Sequence, residues 1–269
     1  MLTLTLKDQP SVPLEAEILS PDVLSKLSLD EVAASPVFLG KRRLRLDEFF
    51  AVEGEPGDDI ELQGDLRDVK WIGRGMTTGR ITVRGNAGMH LGAHMRGGAI
   101  EVHGDASDWV GAEMGGGFIR VHGNAGGQLG AAYRGSLAGM RGGTIIVGGS
   151  AGLEIGMRMR RGTIVVGGPC RDFAGLQMKG GTIILLAGAE IRTGAWMTRG
   201  TIISLAPLHL LPTFAFDCSQ NPVFLNVYAR RLGEWNVALP YSVQDGCYDC
   251  YSGDASVPGK GEILIWRAR

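Results

Sequence analysis

Apolar and polar positions in residues 58–205 follow a pattern that recurs every 19 residues. The clearest copies are 79–97, 98–116, 143–161, 162–180 and 181–199. Copy 117–142 carries seven extra residues, 58–78 is looser, and an eighth copy begins at Gly200. Counting from the first Gly, position 3 is Ile60, Ile81, Ile100, Ile119, Ile145, Ile164, Ile183 and Ile202. Position 5 runs Leu62, Val83, Val102, Val121, Val147, Val166 and Leu185. Apolar residues two apart mark the inward side of a strand. Position 7, Gly64 to Gly168 with Ala187 last, usually precedes Asn, Asp or Ser. That is turn chemistry, needing positive φ or a tight bend. Position 14 is always Gly, and position 17 is Met in six copies. The inserted copy offers Tyr133 or Met140 there.

One strand, two Gly turns and an inward Met make one coil, and coils with a fixed period stack. The pattern predicts an all-β solenoid, a right-handed parallel β-helix of about seven 19-residue coils with N- and C-terminal capping segments. At one strand spacing per coil it is about 34 Å long. A left-handed hexapeptide helix has 18 residues per coil and does not fit the period, and a helical reading fails on the Gly density. The expected division is an N-terminal cap at 1–57, the repeats at 58–205, and a C-terminal cap at 206–269. The first cap contains strand-like Leu2–Leu6 and a helical stretch over Leu24–Val32. The last contains a helix over 224–232, with Ser or Asn as cap and Gly233 closing it, and a strand over Gly261–Trp266.

Position 4 changes character along the stack. Glu61, Thr82, Glu101 and Arg120 give way to Ile146, Val165, Ile184 and Ile203. This outward apolar row predicts a cover. The C-terminal segment, with Leu208, Leu210, Leu211, Phe214 and the 224–232 helix, is the expected one; a partner protein is the alternative.

Composition sharpens this picture. Of 43 Gly, 35 lie in 58–205. Net charge is −1 from 27 basic and 28 acidic residues, which argues against a dedicated nucleic-acid or membrane-surface protein. No apolar run approaches the ~20 residues of a membrane span, and the start lacks the order of a signal peptide. Four Cys then read as reduced thiols in the cytoplasm.

Candidate chemistry is sparse. Cys247 and Cys250 form one C-x-x-C, and a metal site there needs Cys218 and His209 to complete it. His103 and His122, at position 6 beside Arg84, predict an outward ladder that could bind an anion. His90 and His94 share one coil without a second pair. Arg96, Arg134, Arg160 and Lys179 form a basic stripe at position 18, and Lys41–Arg45 is a short basic run; both read first as solvated faces. Glu61 and Glu101 are a weak carboxylate pair of the kind a carbohydrate-active β-helix enzyme uses. No G-x-S-x-G or P-loop is present. The expectation is therefore no catalytic, cofactor-binding or metal residue in this chain.

The unit Gly79-Arg-Ile-Thr-Val-Arg-Gly-Asn-Ala-Gly88, with Gly92 and Met95-Arg-Gly-Gly98, resembles the glycine-repeat family. That family includes the C-terminal β-helix of glutamate synthase large subunits. It also includes the C subunits of formylmethanofuran dehydrogenase and of the formyltransferase/hydrolase complex. Pro212-Thr213-Phe214, Pro222-Val223-Phe224-Leu225, Gly253-Asp254 and Gly259-Lys260-Gly261-Glu262-Ile263-Leu264 resemble the C subunits. The resemblance implies a noncatalytic structural subunit. Its complex would transfer formyl from tetrahydromethanopterin to a methanofuran-like carrier and hydrolyse it to formate. It implies amidohydrolase-like A, B and formyltransferase D partners, with any metal in a partner. A formylmethanofuran dehydrogenase is the alternative complex, and a β-helix enzyme acting on polysaccharide is the alternative class.

Overall fold

The structure is a computed structural model, and residues 1–237 and 246–267 are described. Before the repeats come β1 (Leu2–Leu6), β2 (Leu14–Glu15), α1 (Pro21–Leu24), α2 (Leu29–Ala33), β3 (Pro36–Leu39), β4 (Arg42–Arg45) and β5 (Phe50–Gly54). The first repeats carry β6 (Asp59–Gln63), β7 (Val69–Lys70), β8 (Arg80–Arg84), β9 (Ala99–Val102) and β10 (Phe118–Val121). The later ones carry β11 (Arg141–Val147), β12 (Arg161–Val166), β13 (Lys179–Leu185) and β14 (Arg199–Ser204). Then follow β15 (Ala215–Gln220), α3 (Leu225–Glu234), β16 (Cys247–Gly253) and β17 (Gly261–Arg267).

Strands β6 and β8 to β14 pair in parallel, each with the next repeat, with like residue on like: Ile81 faces Ile100, Ile100 faces Ile119, and Ile164 faces Ile183. The Ile column and the position 5 column are buried to 0 or 1% exposure, as are Met76, Met95, Met114, Met140, Met159, Met178 and Met197. A one-residue slip would turn every Ile outward, so burial fixes the register. Met140 is buried and Tyr133 is not, so the insertion precedes Met140, and Arg141 occupies position 18. The stripe is corrected accordingly: Arg141 stands in it and Arg134 lies in the insertion.

Both ends extend the ladder. Leu2 and Leu4 of β1 lie beside Ile60 and Leu62, and β5 closes that edge antiparallel. At the other end β17 pairs in parallel with β14, and β16 and β15 follow antiparallel. Among the described residues these strands form one thirteen-stranded sheet.

The Gly-rich corner has its own order. Positions 12, 14 and 16 take positive φ while the residues between do not: His90, Gly92 and His94 in one repeat, Glu154, Gly156 and Arg158 in another. This alternation flips successive peptides. His90 N–H donates forward to Asp108 C=O, Gly92 N–H back to Ile72 C=O, and His94 N–H forward to Ala112 C=O. Only position 14 faces the interior. A Cβ on Gly111 would stand 2.5 Å from Ile145 Cδ1, so Gly is required there. At position 7 both expected forms occur: Gly64 has positive φ, and Gly104 does not but lies in a bend, where Asn86 Oδ1 would stand 2.4 Å from an added Cβ.

A second apolar core lies outside the sheet. Ile146, Val165, Ile184 and Ile203, each 1 or 2% exposed, pack with Leu225 and Leu232 of α3 and with Tyr248, Cys250 and Leu264. Tyr228 Oη and Thr182 Oγ1 are 2.7 Å apart beneath the helix. The chain thus covers its own apolar row. Leu208, Leu210, Leu211 and Phe214 do not contribute to that cover; they pack against the main core. The cap of α3 also differs from expectation. Ser219 belongs to β15, Phe224 holds the cap position without a side-chain bond, and Gly233 lies within the helix. The helical stretch near Leu24–Val32 is two short helices, the second capped reciprocally by Ser28 and Glu31.

Candidate functional site

Outward side chains on the stack are fixed in register by the interior, so each position forms a column along it. On the position 6 column, His103 and His122 stack with ring centroids 5.1 Å apart, as the spacing predicts. Their neighbours satisfy them. Arg84 Nη1 and His103 Nε2 are 3.0 Å apart, Arg84 Nε lies 2.9 Å from Glu61, and His122 Nε2 lies 2.8 Å from Glu101. The ladder is neutralised within itself, which leaves little for a free anion. The hydrogen bond from Gln63, then that from Arg84, holds Glu61 below the usual carboxylate range. The hydrogen bond to His122 does the same for Glu101. A glycosidase acid requires the opposite shift.

Position 12 builds a cluster that the repeat did not reveal. Trp71 and His90 stack at 4.0 Å and 11°, and Tyr133 from the insertion stacks on Trp109 at 4.8 Å. His90 Nδ1 is 2.9 Å from Tyr133 Oη. Burial, aided by Lys70, lowers the His90 pKa to about 4, and burial raises that of Tyr133. His94 faces Tyr133 and lies 3.7 Å from Glu113. At neutral pH His90 is an uncharged stacking ring. The matching Trp71 and Trp109 at position 12 were the available sequence signal; Tyr133 was hidden because it lies outside the period.

The cysteines do not converge on a metal set. Cys218 and Cys250 are cross-strand partners on β15 and β16, Cys247 lies near Arg267, and His209 bridges to Ile191. Among the described residues no group of three or more His, Cys, Asp or Glu could hold a metal ion. Burial pushes the Cys170 thiol up to about 12 and raises Cys250 as well. Of the Lys41–Arg45 run, Arg45 pairs with Asp47 at 2.6 Å and Arg42 and Arg43 are exposed.

At position 18 the stripe is continuous over three successive repeats, and Thr198 follows in the next. Arg141, Arg160 and Lys179 are exposed, and each backbone N–H donates to the buried Met of the preceding repeat: Met114, Met140 and Met159. Two recesses flank the stripe. One, of ≈ 510 Å³, is lined by Phe118, Trp235, Arg141, Arg161 and Arg231 among others. The other, of ≈ 490 Å³, is lined by Leu137, Arg158, Gln177, Lys179, Trp196 and Val257.

Residues 64–212, more than half of the chain, match the family described as GXGXG motif. The chain belongs to the GXGXG motif family. In sequence, the chain is 44% identical over 97 residues to the C subunit of the tungsten-containing formylmethanofuran dehydrogenase 2 of Methanothermobacter wolfeii, covering 34% of this chain and 36% of that protein. It is 38% identical over 85 residues to the C subunit of the molybdenum-containing formylmethanofuran dehydrogenase 1 of Methanosarcina barkeri, covering 30% and 28%. These matches therefore span about a third of the curated relatives or less. In structure, it superposes on a chain of the formyltransferase/hydrolase complex (FhcABCD) from Methylorubrum extorquens in complex with methylofuran. The TM-score is 0.90 and the identity 31%, covering 99% of this chain and 100% of that one.

Proposed function

We propose that this chain is a noncatalytic structural subunit of a formyltransferase/hydrolase complex. The observation that carries this reading is the end-to-end superposition on a chain of such a complex. The likeness includes both ends of the chain, not the repeats alone. The complex transfers formyl from tetrahydromethanopterin to a methanofuran-like carrier and hydrolyses it to formate in the cytoplasm. Its other members are an amidohydrolase-like A subunit holding the metal, a B subunit, and a formyltransferase D subunit. The repeats form a right-handed parallel β-helix of about seven coils at 58–205, with 1–57 and 206–269 as caps. The parallel in-register ladder and the strands that prolong it at each end support that description. Among the described residues no helix is long and apolar enough to cross a membrane.

The test is reconstitution. A complex purified through this chain transfers and hydrolyses formyl groups; the chain alone does neither; deleting it abolishes assembly. Formyl hydrolysis by the isolated chain would overturn the reading. The relatives in sequence favour a second reading, a formylmethanofuran dehydrogenase. Molybdenum or tungsten in the purified complex would select it.

A further inference from the structure

The stack neutralises most of its charged columns internally. Arg84 meets Glu61, His122 meets Glu101, and Arg192 meets Asp172. The column at positions 18 and 19 is different. Arg141, Arg160, Arg161, Lys179 and Arg199 occupy four successive repeats, and Lys260 continues the row, its N–H on Thr198 C=O. From Arg96 to Thr201, positions 18, 19, 1 and 2 hold no Asp or Glu, and Glu262 on the rung of Lys260 accepts the Thr201 hydroxyl. Among the described residues none of these cations forms an ion pair or a side-chain hydrogen bond. The repeat holds them about 4.8 Å apart, where like charges repel. Placing an acid on the next repeat would have relieved this at no cost to the interior, as it does on the other columns.

We propose that this basic row is the docking surface for an acidic face of another subunit; the inference rests on the subunit role above. Charge complementarity selects an acidic partner. The surroundings select a protein rather than a nucleic acid. Trp196 is 48% and Leu137 72% exposed beside Lys179, and Trp235 lies under Arg231 on the other flank. Arg, Trp and large aliphatic residues are what protein interfaces concentrate at their centres. A nucleic-acid binder instead carries a strongly basic domain charge, and here the net charge is −1. The acidic segment holding Glu53, Glu55, Asp58 and Asp59 makes a second copy of this chain the competing occupant.

The test uses the complex purified through the wild-type chain. A zero-length carbodiimide couples amines to carboxylates in contact. Lys179 and Lys260 should couple to Asp or Glu of a different subunit. Coupling only to Glu53–Asp59 of a second copy, or no coupling, overturns the proposal. In parallel, the Arg141→Glu, Arg161→Glu, Lys179→Glu variant should assemble at least about tenfold more weakly, and the wild-type complex should loosen steeply with salt. Its melting temperature as an isolated chain should stay near wild type. The Arg42→Glu, Arg43→Glu control should assemble normally. A triple Gln variant serves if the Glu variant does not fold. Intact assembly of the charge-changed chain sinks the docking row alone. A wild-type chain that co-purifies with no other subunit sinks the subunit role, and the docking row with it.

Discussion

Replacing Leu232 by Ala tests whether α3 is held by the apolar row beneath it. Leu232 is fully buried on a ten-residue helix. A helix that short is marginal by itself, so its order depends on packing. Leu→Ala in a core costs about 2–5 kcal/mol, the upper end applying where a cavity cannot collapse. An outermost helix can settle inward, which puts the expected cost near 3 kcal/mol. At about 1.4 kcal/mol per decade, the helix should open roughly a hundredfold more often. Hydrogen exchange should therefore rise across Leu225–Glu234, with little change in β8 and β9, and a dye specific for exposed apolar surface should bind. Val227→Ala on the same helix is the control; Val227 is 66% exposed, and its truncation should change stability by less than about 0.5 kcal/mol. Equal effects of the two substitutions, or no change in exchange at α3, would refute the reasoning.

Gly111→Ala should destabilise by about 1–3 kcal/mol, because the new methyl meets Ile145 Cδ1 at 2.5 Å and the backbone φ is +60°; chemical denaturation checks it, and a neutral outcome would sink the account of position 14. Alkylation of the native chain should label exposed Cys218 quickly and buried Cys170 only after unfolding, since the Cys170 thiol is pushed up to about 12; mass spectrometry of timed samples reads both. Stability should fall as pH drops from about 6.5 to 4, because unfolded His90 takes up a proton that the folded chain refuses. His90→Phe keeps the stack and removes the titration, so its melting temperature should fall less over that window; parallel curves would contradict the assignment.

Most of the interior was legible because the period repeats its constraints. The Ile, Val and Met columns each recur at one position, and burial of like on like is the simplest way to satisfy all of them. The change at position 4 from Glu61 to Ile203 was equally readable, and α3 does cover it. Three features were not readable. The placement of the insertion depended on whether Met140 or Tyr133 faced inward, and only packing against Gly130 and its neighbours decides that. The cap of α3 was misread because Ser219 had a better use, pairing in β15 and bonding Asp249. The Trp71–His90–Trp109–Tyr133 cluster joins three repeats to an aperiodic loop, so no single repeat contains its pattern.

The corner explains why function is harder to read than fold in this chain. Positions 12 and 16 hold non-Gly residues at positive φ in repeat after repeat, at a cost of about 1 kcal/mol each or more. The cost is sustained because the flipped peptides bond to the repeats above and below, as at Glu154 N–H to Asp172 C=O and Arg158 N–H to Leu176 C=O. The backbone there is set by the ladder and not by the side chain. The same conformation therefore carries Trp71, His90, Gln128, Glu154, Phe173 or Arg192 at position 12. The interior demands one residue type per position, while the exterior accepts any, so surface chemistry can differ between repeats without disturbing the stack. A surface that departs from neutrality on such a scaffold, as the Arg141–Lys179 row does, is then not imposed by the fold. Its explanation has to come from what the surface meets.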